Sequence, residues 1–600
     1  MAHTEAPGME VQMPTLAAAT FTPTAIPSQL TVCLGSEPAS LFPYTASGRA
    51  AQAILAAVYD GPFEPDENLN NVIPIIVEKY PALDNGGMRL DPVTVNPGER
   101  IVDSAGELVT LSEGVAYRPA GCTQRTCEAI YTGSAAVQMN QWVLVYTLLP
   151  GLTWSDGAPL TADDSLYGYE VAQVLFPLVK SDLLSRTASY SLVDERTVEW
   201  KGLPGYQDGD AAGKFFAPLP RHAWGSLPTQ ELLESESAAH SPLGWGAYVL
   251  REWRPGEQIL LERNPNYFRA GEGLPYYDRL VFRFVPASMQ SAAAINSGEC
   301  DLLDPIVGEL PEGLQVFRQP ASWTLLMAGI QPADVSRPSP FASQAMRQAV
   351  AMCIDRQAIA QVTGGELAQA YLPAESAYFN PQAVLPVYDQ AAGQALLTSA
   401  GWFDADNNLA TPRTAQGAAG FAPGSPLLVR LLVSPDPALQ AAALLIQQGL
   451  AGCGMQVELD TRPAAEYLAP GPTGPVFGRA FDLALFAWQA ADTPSCWLLL
   501  SSRIPGYYPQ YTQGWGGANA AGYASPEFDR YCSSALTGLP SDGEVLQAYA
   551  QAQARLAEDL PVLPLYWQER VAAASQDVCG LAVSGRLAWW NIDKAVECSR

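Results

Sequence analysis

The 600-residue chain predicts an α/β protein of several domains, with partly parallel sheet in its larger bodies and a smaller β-rich body inserted into the first. Three observations carry this. The length exceeds one ordinary domain and sets a prior of two to four. Residues 427–459 read as strand, helix, strand; such a unit is the mark of a right-handed crossover in a parallel sheet. Residues 61–222, by contrast, hold a run of short strands separated by Gly-, Asn- and Pro-rich turns.

Composition narrows the function. At 48% apolar and 10% aromatic, the chain can build large cores, and 50 Gly with 50 Pro supply many loops. A net charge of −28 argues against nucleic acid and anionic membrane surfaces and favours a soluble chain. No run of about 18 apolar residues occurs, so no membrane-spanning helix is expected. Residues 1–29 are rich in Ala, Thr and Pro and read as an extended tether. They lack a basic-then-apolar signal segment, and we expect a leader to have been removed and a Met-Ala start added.

Ten cysteines without CxxC or Cys/His metal spacing read either as buried thiols or as disulfides of an oxidising compartment. Cys122 and Cys127 are close enough to staple one loop, and Cys579 with Cys598 would tie down the C-terminal tail. Cys33 on the first strand and Cys300 at the start of another belong to strands expected to share a domain, so they form a further candidate pair. Cys353 with Cys453, and Cys496 with Cys532, are the remaining candidates.

In chain order, 30–34 (LTVCL) is a strand followed by a Gly-Ser-Glu-Pro loop, and 50–59 has helical spacing. Segments 100–102 and 107–111 flank Asp103-Ser-Ala-Gly106, a hairpin signal. Strand 142–149 delivers a turn at Trp154-Ser155-Asp156-Gly157, and Thr161 then opens a helix with Asp164 as its capping-box partner. A further strand covers 197–200, and segments 248–253 and 258–263 alternate about Arg254-Pro255-Gly256 as a hairpin. Helices are expected at 344–364, 388–402 (ended by Gly401), 439–450 and 547–560, and strands at 427–433, 455–459, 481–488 and 561–567.

Several stretches are similar to one family in the family's own order. Residues 151–172 (GLTWSDGAPLTADDSLYGYEVA) resemble the W-S/H-D-G-x-P-L-T-A-D-D-V signature of extracellular solute-binding proteins of family 5, the peptide-type receptors of ABC importers. Gly244, Gly246, Tyr248, Pro255, Gly256, Arg263, Asn264, Pro265 and Tyr267 fit its G-T-G-P-Y…P-G…L-x-R-N-P-x-Y stretch, from which Trp245 and Ala247 depart. Arg347, Gln348, Ala349, Ile354, Asp355 and Arg356 fit its V-R-Q-A-x-x-x-A-I-D-R helix, where we expect Asp355 and Arg356 to form structural pairs. Residues 514–529 resemble its G-x-N…G-Y-x-N-P-E-F-D stretch.

The resemblance implies a periplasmic-binding-protein-like type II fold, with two lobes, a smaller β-rich domain and a ligand cleft between the lobes. The implied division is a tether at 1–29, a first lobe from 30–60, 223–322 and 556–600, a smaller domain at 61–222 and a second lobe at 323–555. The chain is expected to cross between lobes near 320–330 and 545–560. Cargo contacts are expected from Trp488, Gln489 and Asp492 at the carboxyl end of strand 481–488, and from Glu37 and Asn519 on rim loops. Asp492 falls one residue later than the carboxylate that holds the peptide amine in relatives. Trp245 would either line the cleft or plug a core, and Glu37 and Asn519 have equally plain structural readings.

The implied role is a non-enzymatic importer subunit that captures a peptide and hands it to ABC permease subunits. It would be exported, at the cell surface or in the periplasm, monomeric, tethered through a lipid anchor that this sequence lacks, and without cofactor, metal or nucleic acid. Oligosaccharide is the alternative cargo, since 14 Trp can stack on sugar rings, and a secreted glycoside hydrolase the remote one. No HExxH, GxSxG or GxxxxGK[ST] occurs, and the three His lie apart in the tail and in loops.

Overall fold

The computed structural model describes residues 27–598 apart from 47, 66–71, 105, 123–126, 176–180, 208–210, 287–288, 307–311, 375, 377, 490–495, 508–514, 537–542, 583–588 and 590. Eleven strands form one sheet that runs through both lobes. They are β1 (Gln29–Leu34), β2 (Tyr248–Arg254), β3 (Gln258–Arg263), β4 (Arg279–Phe284), β5 (Leu302–Asp304), β6 (Leu314–Ala328), β7 (Glu366–Leu367), β8 (Leu428–Val433), β9 (Gln456–Thr461), β10 (Leu483–Gln489) and β11 (Val562–Ser575). Their order is β2-β3-β4-β1-β5-β11-β6-β10-β8-β9, with β7 paired to β11.

Alternation along β1 explains how the first lobe is layered. Leu30, Val32 and Leu34 enter one core with α1 (Arg49–Val58), while Cys33 enters another with the helix Ala292–Asn296. Cys33 is bonded to Cys300 there, and the other four expected pairs, 122–127, 353–453, 496–532 and 579–598, are also disulfides. The tether reading is shortened at its end: Gln29 already belongs to β1, and Ser28 donates from its N–H and its hydroxyl to Asp278. Residues 1–26 lie outside the described residues.

The smaller body is built on an antiparallel sheet of Thr187–Leu192, Thr197–Gly202, Val137–Thr147 and Met88–Val95. The helix Ala162–Val174 packs on it. Its capping box is the expected one: Asp164 accepts from the Thr161 N–H at 2.9 Å. Asp164 also accepts from the indole of Trp154, which is fully buried, so the turn and the cap are tied together. The hairpin Arg100–Val102/Leu108–Thr110 forms as expected.

The second lobe surrounds the largest core, which runs from Leu325 to Tyr566. The helix Pro437–Ala451 connects the parallel strands β8 and β9, as the 427–459 spacing requires. Asp355 and Arg356 have structural roles, made through hydrogen bonds and, among the described residues, without an ion pair. Asp355 caps the helix Arg356–Thr363, and Arg356 donates to the carbonyls of Ala368 and Pro564, because that burial offers carbonyls and no acid.

Two strands, β6 and β11, run between the lobes. The helix Gly543–Asp559 packs within the second-lobe core, and β11 makes the return. β6 and β11 pair from Leu314↔Ser575 to Met327↔Val562, with register shifts at Pro320/Ser322 and Thr324/Leu325. β11 reaches the first lobe through Leu303↔Ala573, and β6 reaches the second through Ser322↔Gln489.

Candidate ligand-binding site

Strand direction locates the site. β5 and β1 are parallel to each other, and β5 is antiparallel to β11, so both run the way β6 runs, toward the second lobe. β10 is antiparallel to β6 and parallel to β8, so these two run toward the first lobe. The carboxyl ends of both lobes' parallel strands therefore point at each other across the crossing strands. Ligands of open α/β sheets bind at such ends.

A row of three tryptophans lies at this level. Trp323 on β6 is in register with Trp488 on β10 and with Trp567 on β11. Directly opposed residues of antiparallel strands share a face, so the rings meet: their centroids are 5.8 Å apart for Trp323–Trp488 and 6.0 Å for Trp323–Trp567. Trp567 is buried, whereas Trp323 and Trp488 keep part of their surface exposed. Phe486 and Tyr371 support the row from the core side. Only Trp488 was expected; Trp323 and Trp567 sit inside apolar runs and become partners only through register.

The other expected contacts are distributed unequally. Gln489 ends β10 opposite Ser322, and Asp492 lies outside the described residues. Glu37 accepts from the Trp253 indole at 2.7 Å and from the Gly256 N–H at 3.0 Å, which fastens the loop after β1 to the β2–β3 turn. Trp245 is 3% exposed, donates to the Asp60 carbonyl at 2.8 Å and packs edge-on against Tyr59 and Trp154. It fills a core, and an aromatic wall from it is excluded by that burial. Asn519 is fully buried; its amide donates to the carbonyls of Leu499, Leu500 and Tyr523 and its oxygen accepts from the Tyr523 N–H. The amide therefore knots its loop rather than facing solvent.

One charged cluster at the carboxyl rim of the first lobe has no precursor in the sequence reading. Asp304, the last residue of β5, has a fully buried side chain and accepts from buried Arg570 of β11. The Arg49 guanidinium approaches the same carboxylate at 3.1 Å and is 45% exposed. On the opposite side of the second lobe, at the amino ends of β8 and β10, a cavity of about 580 Å³ is lined by Arg337, Arg430, Arg479, Asp334 and Asp482 among others. It faces away from the carboxyl ends. Among the described residues no His/Cys/Asp/Glu group is arranged to hold a metal.

An α/β sheet shared by two lobes, with opposed carboxyl ends and a smaller β-rich domain, defines a two-lobed solute-binding protein. The chain belongs to the bacterial extracellular solute-binding proteins, family 5, whose middle-region profile matches residues 135–506. It is 23% identical over 463 residues to the oligopeptide-binding protein AppA of Bacillus subtilis, covering 74% of this chain and 79% of that one. It is 26% identical over 365 residues to the probable ABC transporter periplasmic-binding protein SapA of Escherichia coli, and there the match spans 58% of this chain and 59% of SapA. The solved structure of B. subtilis AppA with a nonapeptide superposes with a TM-score of 0.64 at 20% identity, covering 96% of this chain and all of that one. The Thermus thermophilus oligopeptide-binding protein with a pentapeptide gives 0.66 at 17% identity, with 95% and 96% covered.

Proposed function

We propose that this protein is the substrate-binding component of an ABC importer that captures a peptide between its lobes and delivers it to the membrane permease. The observation that carries the reading is the opposition of carboxyl strand ends across β6 and β11, with Trp323 and Trp488 half open at that level. A solute that touches both lobes stabilises the closed form over the open one, which is the differential affinity a docking signal requires. The relative AppA of Bacillus subtilis is an oligopeptide-binding protein, and two solved neighbours hold a nonapeptide and a pentapeptide. Cargo contacts come from Trp488, Gln489 and Asp492, while Glu37, Asn519 and Trp245 shape the rim from behind.

The division we propose keeps the smaller domain at 61–222 and the first lobe at 30–60 and 223–322. The segment 556–566 is reassigned to the second lobe, whose core it joins. The protein acts as a monomer outside the cytoplasmic membrane, held there through its N-terminal segment. Five disulfides suit an oxidising compartment, and the large negative charge opposes self-association.

Oligosaccharide is the second reading, favoured by the partly exposed Trp323 and Trp488 rings. Thermal-shift assays with a randomised pentapeptide pool and with cello- and xylo-oligosaccharides separate the two. Ligand at 100 times its Kd stabilises the folded state by about 2.7 kcal/mol. A shift with peptides alone supports the proposal; a shift with the sugars alone replaces it.

A further inference from the structure

The sequence places few cations in this chain, and two of them converge on one acid. Asp304 carries a single negative charge and has no exposed side-chain surface, yet it faces both Arg570 and Arg49. Arg570 is 2% exposed, and among the described residues Asp304 is its ion-pair partner. Two guanidiniums on one carboxylate leave one positive charge over. That surplus resides on Arg49, because its guanidinium is the one that reaches solvent, at 45% exposure. Among the described residues Asp304 is its only ion-pair partner.

The position is costly for the fold. Arg49 is the first residue of α1, where a positive charge opposes the helix dipole, and the first turn contains no acid to offset it. The N-cap is Gly48, which offers no side-chain oxygen. A rule of local stability is broken here, and the one ion-pair partner that Arg49 has among the described residues is already neutralised by Arg570, which is the pattern of a site shaped for something else. The place fits that pattern: Leu34 and Asp304 are register partners at the carboxyl ends of β1 and β5, facing the second lobe.

We propose that Arg49, held in position by Asp304, pairs with a carboxylate of the bound cargo. The inference rests on the peptide reading above. It adds that the first lobe selects an anionic group, supplied either by the peptide's C-terminus or by an acidic side chain. A guanidinium presents five N–H donors in a plane and matches a carboxylate with two of them. Asp304 is a positioning residue, since its own charge is already neutralised by Arg570.

The test uses the full-length protein and three randomised pentapeptide pools, measured by calorimetry and thermal shift. The first pool has no acidic side chains and a free C-terminus, the second is the same pool amidated, and the third is amidated with one Glu per peptide. Wild-type protein should bind the first pool about 10- to 100-fold more tightly than the second, the loss expected for one charge-assisted contact. Recovery of binding by the third pool assigns the contact to a side chain, and no recovery assigns it to the C-terminus. In Arg49→Gln the first and second pools should bind equally, and Arg49→Lys should retain part of the preference. Circular dichroism melts of the ligand-free variants report whether the fold is intact. Equal binding of all three pools by the wild type overturns the inference and leaves the peptide reading standing. Failure of all three pools to bind overturns both.

Discussion

Asp304 and Arg570 form a buried charge pair whose members lie 266 residues apart. Such a pair contributes little net stability while intact, but breaking it strands a charge in a dry site. Asp304→Asn should therefore cost about 3–5 kcal/mol in chemical denaturation, because Arg570 keeps its charge and loses its partner. Asp304→Leu with Arg570→Met should recover most of that loss. Nothing in the sequence announces this pair. Its partners meet through the placement of β5 beside β11, and ionic pairing carries no local periodicity. Trp154 and Asp164, by contrast, were legible because turn and capping chemistry act within ten residues.

A second residue cluster makes stability depend on pH. Asp60 and Asp593 accept from the Tyr267 hydroxyl, and Glu64 lies close enough to feel their charges, with Arg269 and Lys594 as the nearby cations. Burial, reinforced by the Asp593 charge, pushes Glu64 up from 4.5 to about 7, and Asp60 and Asp593 are raised by burial as well. For an acid with a raised folded pKa, the folded state holds more protons than the unfolded one between the two values. The Glu64 contribution is thus fully present below pH 4.5 and is lost as pH rises toward 7. Glu64→Gln should raise the calorimetric Tm at pH 8 by about 1–3 °C relative to wild type and leave it unchanged at pH 4. An equal shift at both pH values would refute this account.

At the scale of elements, β6 and β11 decide where the tryptophan row sits. Trp488 was legible as the end of an apolar strand running into a polar loop. Its partners were not, since cross-strand register depends on where a return strand 240 residues later is laid down. The same remoteness hides which element makes the return: the helix Gly543–Asp559 and β11 each carry an apolar face, and only packing tells which of them leaves the lobe. Trp488→Ala should weaken cargo binding about tenfold while the ligand-free melt changes little, consistent with loss of one half-exposed aromatic contact. Cys353–Cys453 ties the C-terminal end of Gln344–Cys353 to the loop after Pro437–Ala451, closing 100 residues. Replacing both by Ser should cost about 4 kcal/mol in the second lobe.

At the scale of the whole molecule, an exposed contact joins segments far apart in the chain: the Ser502 hydroxyl donates to Glu107 at 2.6 Å. In the proposed two-lobed receptor, this contact spans bodies that part when the lobes open. Glu107→Gln should shift the ligand-free protein toward open forms and lower cargo affinity about two- to tenfold, since it removes one charge-assisted bond from the closed state only. Small-angle scattering with and without cargo checks the first part, and calorimetry the second. The fold class and five disulfide pairs were readable because they rest on local pattern and on strands that had to be neighbours. The bridging contact was not, because loop tips meet only after every domain is placed.

The continuity of β6 and β11 through both halves also limits how this gene can be cut. A fragment ending between the lobes would hold two severed half-strands, each with raw backbone donors and acceptors along its border, and such borders recruit foreign strands. Expressed alone, either half should precipitate. A circular permutant opened at the Arg254–Gly256 turn spares both ribbons, and it should remain dispersed and retain cargo recognition.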